Sequence, residues 1–264
     1  MPKLLILGMG YTASKLADRL RGEGWRVTGV RRSAGEDVLA FDDEKGVCAA
    51  IAGASHILSS VPPEGEDDPV LLRYGDAIAA APAVWTGYLS STGVYGDAAG
   101  AWVDESSPVG AGRRTARVAG DLAWGTLRAD TRRFRLPGIY GPGRSALERV
   151  CEGRAHRIDL PGQVFSRVHV DDIIAGVIAS FDGPPGVYNL ADDLPCCQNR
   201  VIEAACDLLG MAWPPLQSVE AAGLSPMARG FYAENRRVAN GRAKRLLGWR
   251  PLHPTYAEGL RACL

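Results

Sequence analysis

The sequence predicts an α/β protein built on a doubly wound parallel sheet with a small C-terminal lobe. Three observations carry that reading. Short apolar runs alternate with stretches of helical periodicity through the first half of the chain. A glycine-rich turn, Gly8-Met9-Gly10, joins the first run to the first helical stretch. The 264 residues suit one large α/β domain, or one domain with a smaller lobe, around a continuous core.

The elements follow in order. Lys3–Leu7 is an apolar run closed by Gly8, as expected of a first buried strand. In Tyr11–Gly22, Leu16 and Leu20 fall one turn apart with Ala13 and Ala17 beside them, which predicts a helix. Residues 25–30 read as a second strand and 38–41 as a short third. Residues 44–52 have helical spacing, and 56–61 form a strand stopped by Pro62-Pro63. A helix over 70–81 ends at Pro82, and 84–90 is the next strand. The second half is less regular. Helices are expected over 116–128, 145–153, 172–181 and 200–210, and strands over 133–136 and 187–190. The expected division is a cofactor-type domain over 1–141 and a mixed lobe over 142–264. Residues 167–190 or so return to the core.

The sharpest motif is Gly8-Met9-Gly10-Tyr11-Thr12-Ala13, a G-x-G-x-x-A pattern between a strand and a helix. Gly8 permits the tight turn, Gly10 lets backbone approach a pyrophosphate, and Ala13 lets the helix lie close to the strand. The helix N-terminus then offers free N–H groups to the anion. This is the fingerprint of a Rossmann-type dinucleotide site, and Tyr11 and Thr12 belong to it by position. At the end of the second strand, where an NAD site places an acidic residue, the chain has Arg31-Arg32. Arginine there can pair with the 2′-phosphate of NADP, so NADP is the expected cofactor and NAD the alternative. Asp42 is a candidate acceptor for the adenine amino group. Ser60, Val61 and Pro62, at the carboxyl end of the fourth strand, complete the expected cofactor set.

Further segments fall in a familiar order. They are Ser90-Ser91-Thr92-Gly93-Val94-Tyr95-Gly96, then Arg135-Leu136-Pro137-Gly138-Ile139-Tyr140-Gly141-Pro142-Gly143-Arg144, then Val168-His169-Val170-Asp171-Asp172. Gly186-Val187-Tyr188-Asn189 and Leu247-Gly248-Trp249-Arg250-Pro251 extend the series. The ordered set resembles the extended short-chain dehydrogenase/reductase superfamily, in its NAD-dependent epimerase/dehydratase branch, over nearly the whole chain. The resemblance implies hydride chemistry on a small carbonyl or alcohol substrate, with a Ser/Thr, a Tyr and a Lys at the centre. The Tyr acts as acid/base, its pKa lowered by the Lys charge. Ser91 matches the Ser/Thr, with Thr92 beside it as a possible substitute that also faces substrate. Tyr140 is implied near the nicotinamide, and helix-mediated homodimers are common in the superfamily.

The Tyr and Lys do not carry over. Where the superfamily has Y-x-x-x-K, this chain has Arg113 and Arg117, with Asp121 at a following acidic position. No tyrosine lies between Tyr95 and Tyr140, and no lysine between Lys45 and Lys244. Arginine stays protonated and is a poor proton donor near neutral pH, though it can hold an anion or a ribose. Tyr11-Thr12-Ala13-Ser14-Lys15 spells the motif, but inside the phosphate turn. Tyr95, and after it Tyr140, are the phenols left to act as acid.

Arg144 and Arg167 suit an anionic substrate group. Asp171 or Asp172 reads as a helix N-cap, and His169, between two valines, as a satisfied core histidine. No His/Cys/Asp/Glu set has metal-ligand spacing, so no metal is expected. Thirty basic and thirty acidic residues cancel, which gives no support for nucleic-acid binding. No apolar run approaches a membrane span, and no signal peptide is evident. The six cysteines are scattered, with only Cys196 and Cys197 adjacent, and read as reduced thiols of a cytoplasmic protein. Three functions remain in play: an atypical NADP-dependent oxidoreductase, a non-catalytic NAD(P)H sensor, and a nucleotide-sugar epimerase or dehydratase holding NAD tightly.

Overall fold

The computed structural model describes residues 1–110, 112 and 115–264, with the side chains of Met227 and Ala228 left aside. In its first half the chain runs β1 (Lys3–Leu7), α1 (Tyr11–Gly22), β2 (Arg26–Arg31), β3 (Val38–Ala40), α2 (Glu44–Gly53), β4 (His56–Ser59), α3 (Pro69–Ala79) and β5 (Trp85–Ser91). A short 3₁₀ turn (Thr92–Tyr95), β6 (Trp102–Val103), α4 (Thr115–Leu127) and β7 (Thr131–Leu136) follow. The second half adds β8 (Gly138–Tyr140), α5 (Ala146–Cys151), β9 (Arg157–Ile158), β10 (Arg167–His169), α6 (Val170–Ala179) and β11 (Gly186–Asn189). It ends with α7 (Gln198–Leu209), β12 (Leu216–Gln217), α8 (Pro226–Tyr232), β13 (Arg237–Val238), α9 (Gly241–Leu246) and α10 (Tyr256–Arg261).

Seven strands form one sheet in the order β3-β2-β1-β4-β5-β7-β11. Every pair in it is parallel. The central strands β1, β4 and β5 are almost wholly buried because both faces of the sheet are covered. On β1, Leu4 and Ile6 enter the cluster with Leu16 and Leu20 of α1, while Leu5 and Leu7 enter the opposite cluster with Val47 and Ile51 of α2. This period-two split is what a strand between two helical layers requires. The direction of winding reverses between β1 and β4, so their carboxyl ends frame the crevice where such sheets bind ligands.

Residues of the second half reach the sheet at two places. β11 is its last strand, and α6 packs on α1. Three parallel two-stranded pairs, β8–β10, β9–β12 and β6–β13, hold the remainder. A separate cluster of Leu147, Val150, Val201, Ile202 and Leu260 binds α5, α7 and α10. Among the described residues no helix is long and apolar enough to cross a membrane.

Candidate functional site: the glycine turn and the strand ends around it

The turn after β1 has two glycines with different demands. Gly8 has φ +95°, and a Cβ on it would fall 2.8 Å from Val61 Cγ2, so only glycine fits. At Gly10 a Cβ would meet nothing within 4 Å. The open space there is the side from which a ligand can approach. Gly10 is also the N-cap of α1, and no side chain caps that helix or places an acid in its first turn. Its first N–H groups therefore face the space in front of Gly10. Thr12 and Ala13 are buried, which seats α1 close to the sheet. The end of β4 is fixed to the same turn: Ser60 Oγ donates to the Gly8 carbonyl at 3.0 Å and Ser60 N to Leu7 O at 2.8 Å. Gly8, Gly10, Ser60, Val61 and the exposed Pro62 thus converge as their sequence positions imply.

Tyr11 crosses away from the sheet. Its hydroxyl donates to Pro142 O at 3.0 Å, and the Lys15 ammonium and Arg144 guanidinium lie 5.5 and 5.6 Å from its ring centroid. Burial, helped by the Cys263 thiol and opposed by Arg144, pushes its pKa up to about 12. Tyr11 and Arg144 therefore link the turn to the 141–144 loop, and Tyr11 stays protonated.

At the end of β2, Arg31 and Arg32 are both exposed. Arg31 Nε donates to Ser33 O at 3.0 Å, which lays its guanidinium over the 33–35 turn with Nη2 against Gly35. Asp42 is exposed and takes Arg73 Nη1 at 2.5 Å. Asp43 rather than Asp42 caps α2, accepting from Gly46 N.

The far end of β5 carries the hydroxyls. Ser91 is half-buried, and its Oγ accepts from Gly93 N at 3.1 Å, which leaves its proton free to donate outward. Thr92 is buried beside it. Tyr95 is only 3% exposed, donates to Asn189 Oδ1 at 2.8 Å and accepts from Arg135 Nη1 at 3.1 Å. Burial raises its pKa, opposed by the Arg135 charge. This placement argues against the expected open phenol: the proton of Tyr95 is committed inside the protein. Arg135 in turn grips the fully buried Asp121 through Nη2 at 2.8 Å and Nε at 3.2 Å, and Ser90 Oγ donates to the same carboxylate at 2.6 Å. Arg133 reaches Asp121 at 3.3 Å. The acidic position four residues beyond Arg117 therefore serves a buried network joining β5, α4, β7 and β11.

Three other expectations need correction. Arg167 is buried and donates to Phe165 O, Cys196 O and Gln198 Oε1 at 3.0–3.3 Å, so it holds loops together instead of facing an anion. Tyr140 is also buried, its hydroxyl 3.5 Å from Thr255 O and its ring edge-on to His169, so it packs beneath α10 instead of facing a nicotinamide. The N-cap of α6 is His169, whose Nδ1 accepts from Asp171 N at 3.2 Å. Asp172 instead accepts from Leu252 N at 2.5 Å and His253 N at 3.3 Å. Arg117 is half-buried on α4, with its charge acting on the buried Tyr88 hydroxyl. Arg113 lies outside the described residues.

Two features escaped sequence reasoning. Asp192, just past β11, is buried, and burial pushes its carboxyl up to about 7 against the opposing Arg167 charge. His169, Asp171 and His253 present side-chain donor atoms within 4.8 Å of one another. This set departs from the expectation of no metal-spaced cluster. Spacing rules could not find it, because His253 comes from a distant stretch of the chain.

No family model matches the chain. It is 30% identical over 155 residues to the 3-diazoavenalumate denitrifying reductase of Streptomyces sp. That match covers 54% of this chain and 48% of the relative, so the chain spans about half the length of this curated relative. A functionally unknown conserved protein from Silicibacter pomeroyi DSS, known by structure, is 42% identical. It superposes with a TM-score of 0.92 over 100% of this chain and 98% of its own. The human epimerase family protein SDR39U1, solved with NADPH, is 16% identical with a TM-score of 0.79, covering 98% of each chain. The chain belongs to the same family as the Silicibacter protein. Its fold is the Rossmann-type α/β fold it shares with the human epimerase family protein.

Proposed function

We propose that the chain is an NADP-dependent oxidoreductase acting on a small molecule and lacking the usual Tyr–Lys pair. The observation that carries the cofactor half is the Gly8–Gly10 turn, strained at one glycine and open at the other, in front of an uncapped helix N-terminus. That is the environment a pyrophosphate needs. The N–H groups of α1 would hold it, Ser60, Val61 and Pro62 would flank it, and Arg31 and Arg32 would pair with a 2′-phosphate. NADP(H), when bound, supplies the hydride acceptor or donor. Support for this choice over NAD comes from the two exposed arginines and from the NADPH solved with the human fold relative. Support for a reductase direction comes from the reductase named among the relatives.

On the substrate side, the Ser91 hydroxyl, fixed by Gly93 N, polarises the reacting oxygen, with Thr92 beside it. Arg117 and Arg144 are the cations proposed to meet an anionic group of the substrate, and residues 142–264 shape its surroundings. Tyr95 positions Arg135 and Asn189 and does not exchange a proton with substrate. The test is an NADPH-consumption screen over small carbonyl compounds, repeated on variants once a substrate is found. Ser91→Ala should lower kcat by about a hundredfold, the scale of losing one polarising donor. Tyr95→Phe should keep turnover within a fewfold. A Ser91→Ala variant with full turnover overturns the assignment.

A second reading is favoured by one observation, the closure of Tyr95 in a chain with no lysine between Lys45 and Lys244. In it the protein binds the dinucleotide as a sensor and transfers no hydride. Steady NADPH turnover by any small carbonyl compound contradicts that reading.

A further inference from the structure

We propose that His169, Asp171 and His253 form a binding site for a borderline divalent transition metal of the zinc type. The site joins the N-terminus of α6 to the segment that leads into α10. His169 Nδ1 lies 3.6 Å from Asp171 Oδ2, and His253 Nε2 lies 3.9 Å from the same oxygen. The two imidazoles meet edge to face, with centroids 4.1 Å apart. Ligand atoms about 2.0–2.2 Å from a tetrahedral zinc stand roughly 3.3–3.5 Å from each other. The trio is therefore within a few tenths of an ångström of coordination spacing on two of its three edges. Two imidazoles and one carboxylate are a donor set for zinc and its first-row neighbours, and not for calcium or magnesium.

The surroundings support ligands more than they support a plain packing cluster. His169 is fully buried and His253 mostly so, whereas the Asp171 side chain is half exposed and gives solvent a route in. His253 is held from behind, because Asp172 accepts from the backbone N–H groups of Leu252 and His253. Such outer contacts orient metal ligands. Coordination through Nδ1 replaces only the 3.2 Å contact with Asp171 N. The cluster is also faced by the Tyr140 ring, edge-on to His169, by the Cys263 sulfur, 3.7 Å from His169 Nε2, and by the Lys15 ammonium, whose charge acts on His169. The carboxylates of Asp171 and Asp172 counter that one cation.

The experiment uses the full chain, stripped with a chelator. Zn²⁺ is titrated calorimetrically, Co²⁺ is followed by visible absorption, and melting is recorded with and without each metal. Expected are one equivalent bound per chain, Co²⁺ ligand-field bands, and a raised Tm. Because His169 is buried, the variants are His253→Ala and Asp171→Asn, each first shown to melt cooperatively without metal. Either should weaken Zn²⁺ binding by about tenfold to a hundredfold or more and abolish the Tm increase. A Cys196→Ser/Cys197→Ser variant should bind as the parent does. Failure to bind Zn²⁺ or Co²⁺ overturns the proposal. So does binding that survives His253→Ala and Asp171→Asn but is lost with the cysteines, since the metal then sits on the adjacent thiols.

Discussion

Gly8 and Gly10 stand two residues apart and fail differently when replaced. Alanine at Gly8 meets a left-handed backbone, a cost of about 1–2 kcal/mol, and a contact with Val61. Gly8→Ala should therefore lower both stability and dinucleotide affinity. Gly10→Val meets empty space in the protein and fills the approach of the ligand. Its Tm should fall only modestly, by what a poorer N-cap costs, while dinucleotide affinity falls about tenfold or more, the loss of one or two charge-assisted hydrogen bonds at ~1.5–3 kcal/mol each. Paired melting and calorimetric titration separate the two effects. These residues were legible in the sequence because their chemistry is local: a turn, a helix start and a strand end. Tyr95 and Arg167 were misjudged for the opposite reason. Their partners, Asn189 for one and Cys196 and Gln198 for the other, come from distant parts of the chain, and no spacing shows that a polar tip is already satisfied.

At the scale of elements, α4 is fastened to the sheet by one carboxylate. Asp121 accepts from Ser90 of β5 and from Arg133 and Arg135 of β7, with no exposure to solvent. Removing one partner of a buried pair leaves the other charge without compensation. Asp121→Ala should cost about 3–5 kcal/mol in chemical denaturation. The start of β4 makes a different prediction. His56 packs among Trp25, Trp85 and Phe181, and burial together with the Arg132 charge pushes its pKa down to about 4. The unfolded chain binds a proton near pH 6.5 while the folded chain refuses it until about pH 4. Stability from this group is therefore complete above pH 6.5 and lost as pH falls toward 4. Melting curves should show wild type losing more Tm than His56→Phe across that window. Most elements of the first half were legible, since each alternates cleanly between period two and helical spacing. The expected strand extends two residues past β4 because Val61 restores an apolar residue before Pro62-Pro63, whereas Ser60 turns to donate to the Gly8 carbonyl. α8, α9 and α10 were not foreseen: they are seven, six and six residues long, too short for periodicity to stand out.

For the molecule as a whole, the sheet reverses its winding between β1 and β4, and the crevice at their carboxyl ends is where such sheets bind ligands. The alternation of strands and helices implies a parallel, doubly wound sheet, but not this strand order. What covers that crevice was less legible. The chain leaves the sheet after β7, packs back on it at α6, rejoins it at β11 and leaves again, so the second half is stitched by short strand pairs and by polar side chains reaching across long separations. The buried Asp121–Arg135–Tyr95–Asn189 chain gives the missing Tyr–Lys pair its physical context. Each of these four side chains is hydrogen-bonded to the next, so this part of the interior is satisfied without a lysine.

The most direct test is calorimetric titration of the purified chain with NADPH and with NADH, in the parent and in an Arg31→Ala/Arg32→Ala variant. The account predicts tighter binding of NADPH than NADH, with the difference reduced at least ~tenfold in the variant while NADH binding is unchanged. Equal affinities in the parent, or a variant that keeps its preference, would contradict the assignment of the β2 arginines. Absence of binding by either dinucleotide would contradict the reading of the Gly8–Gly10 turn itself.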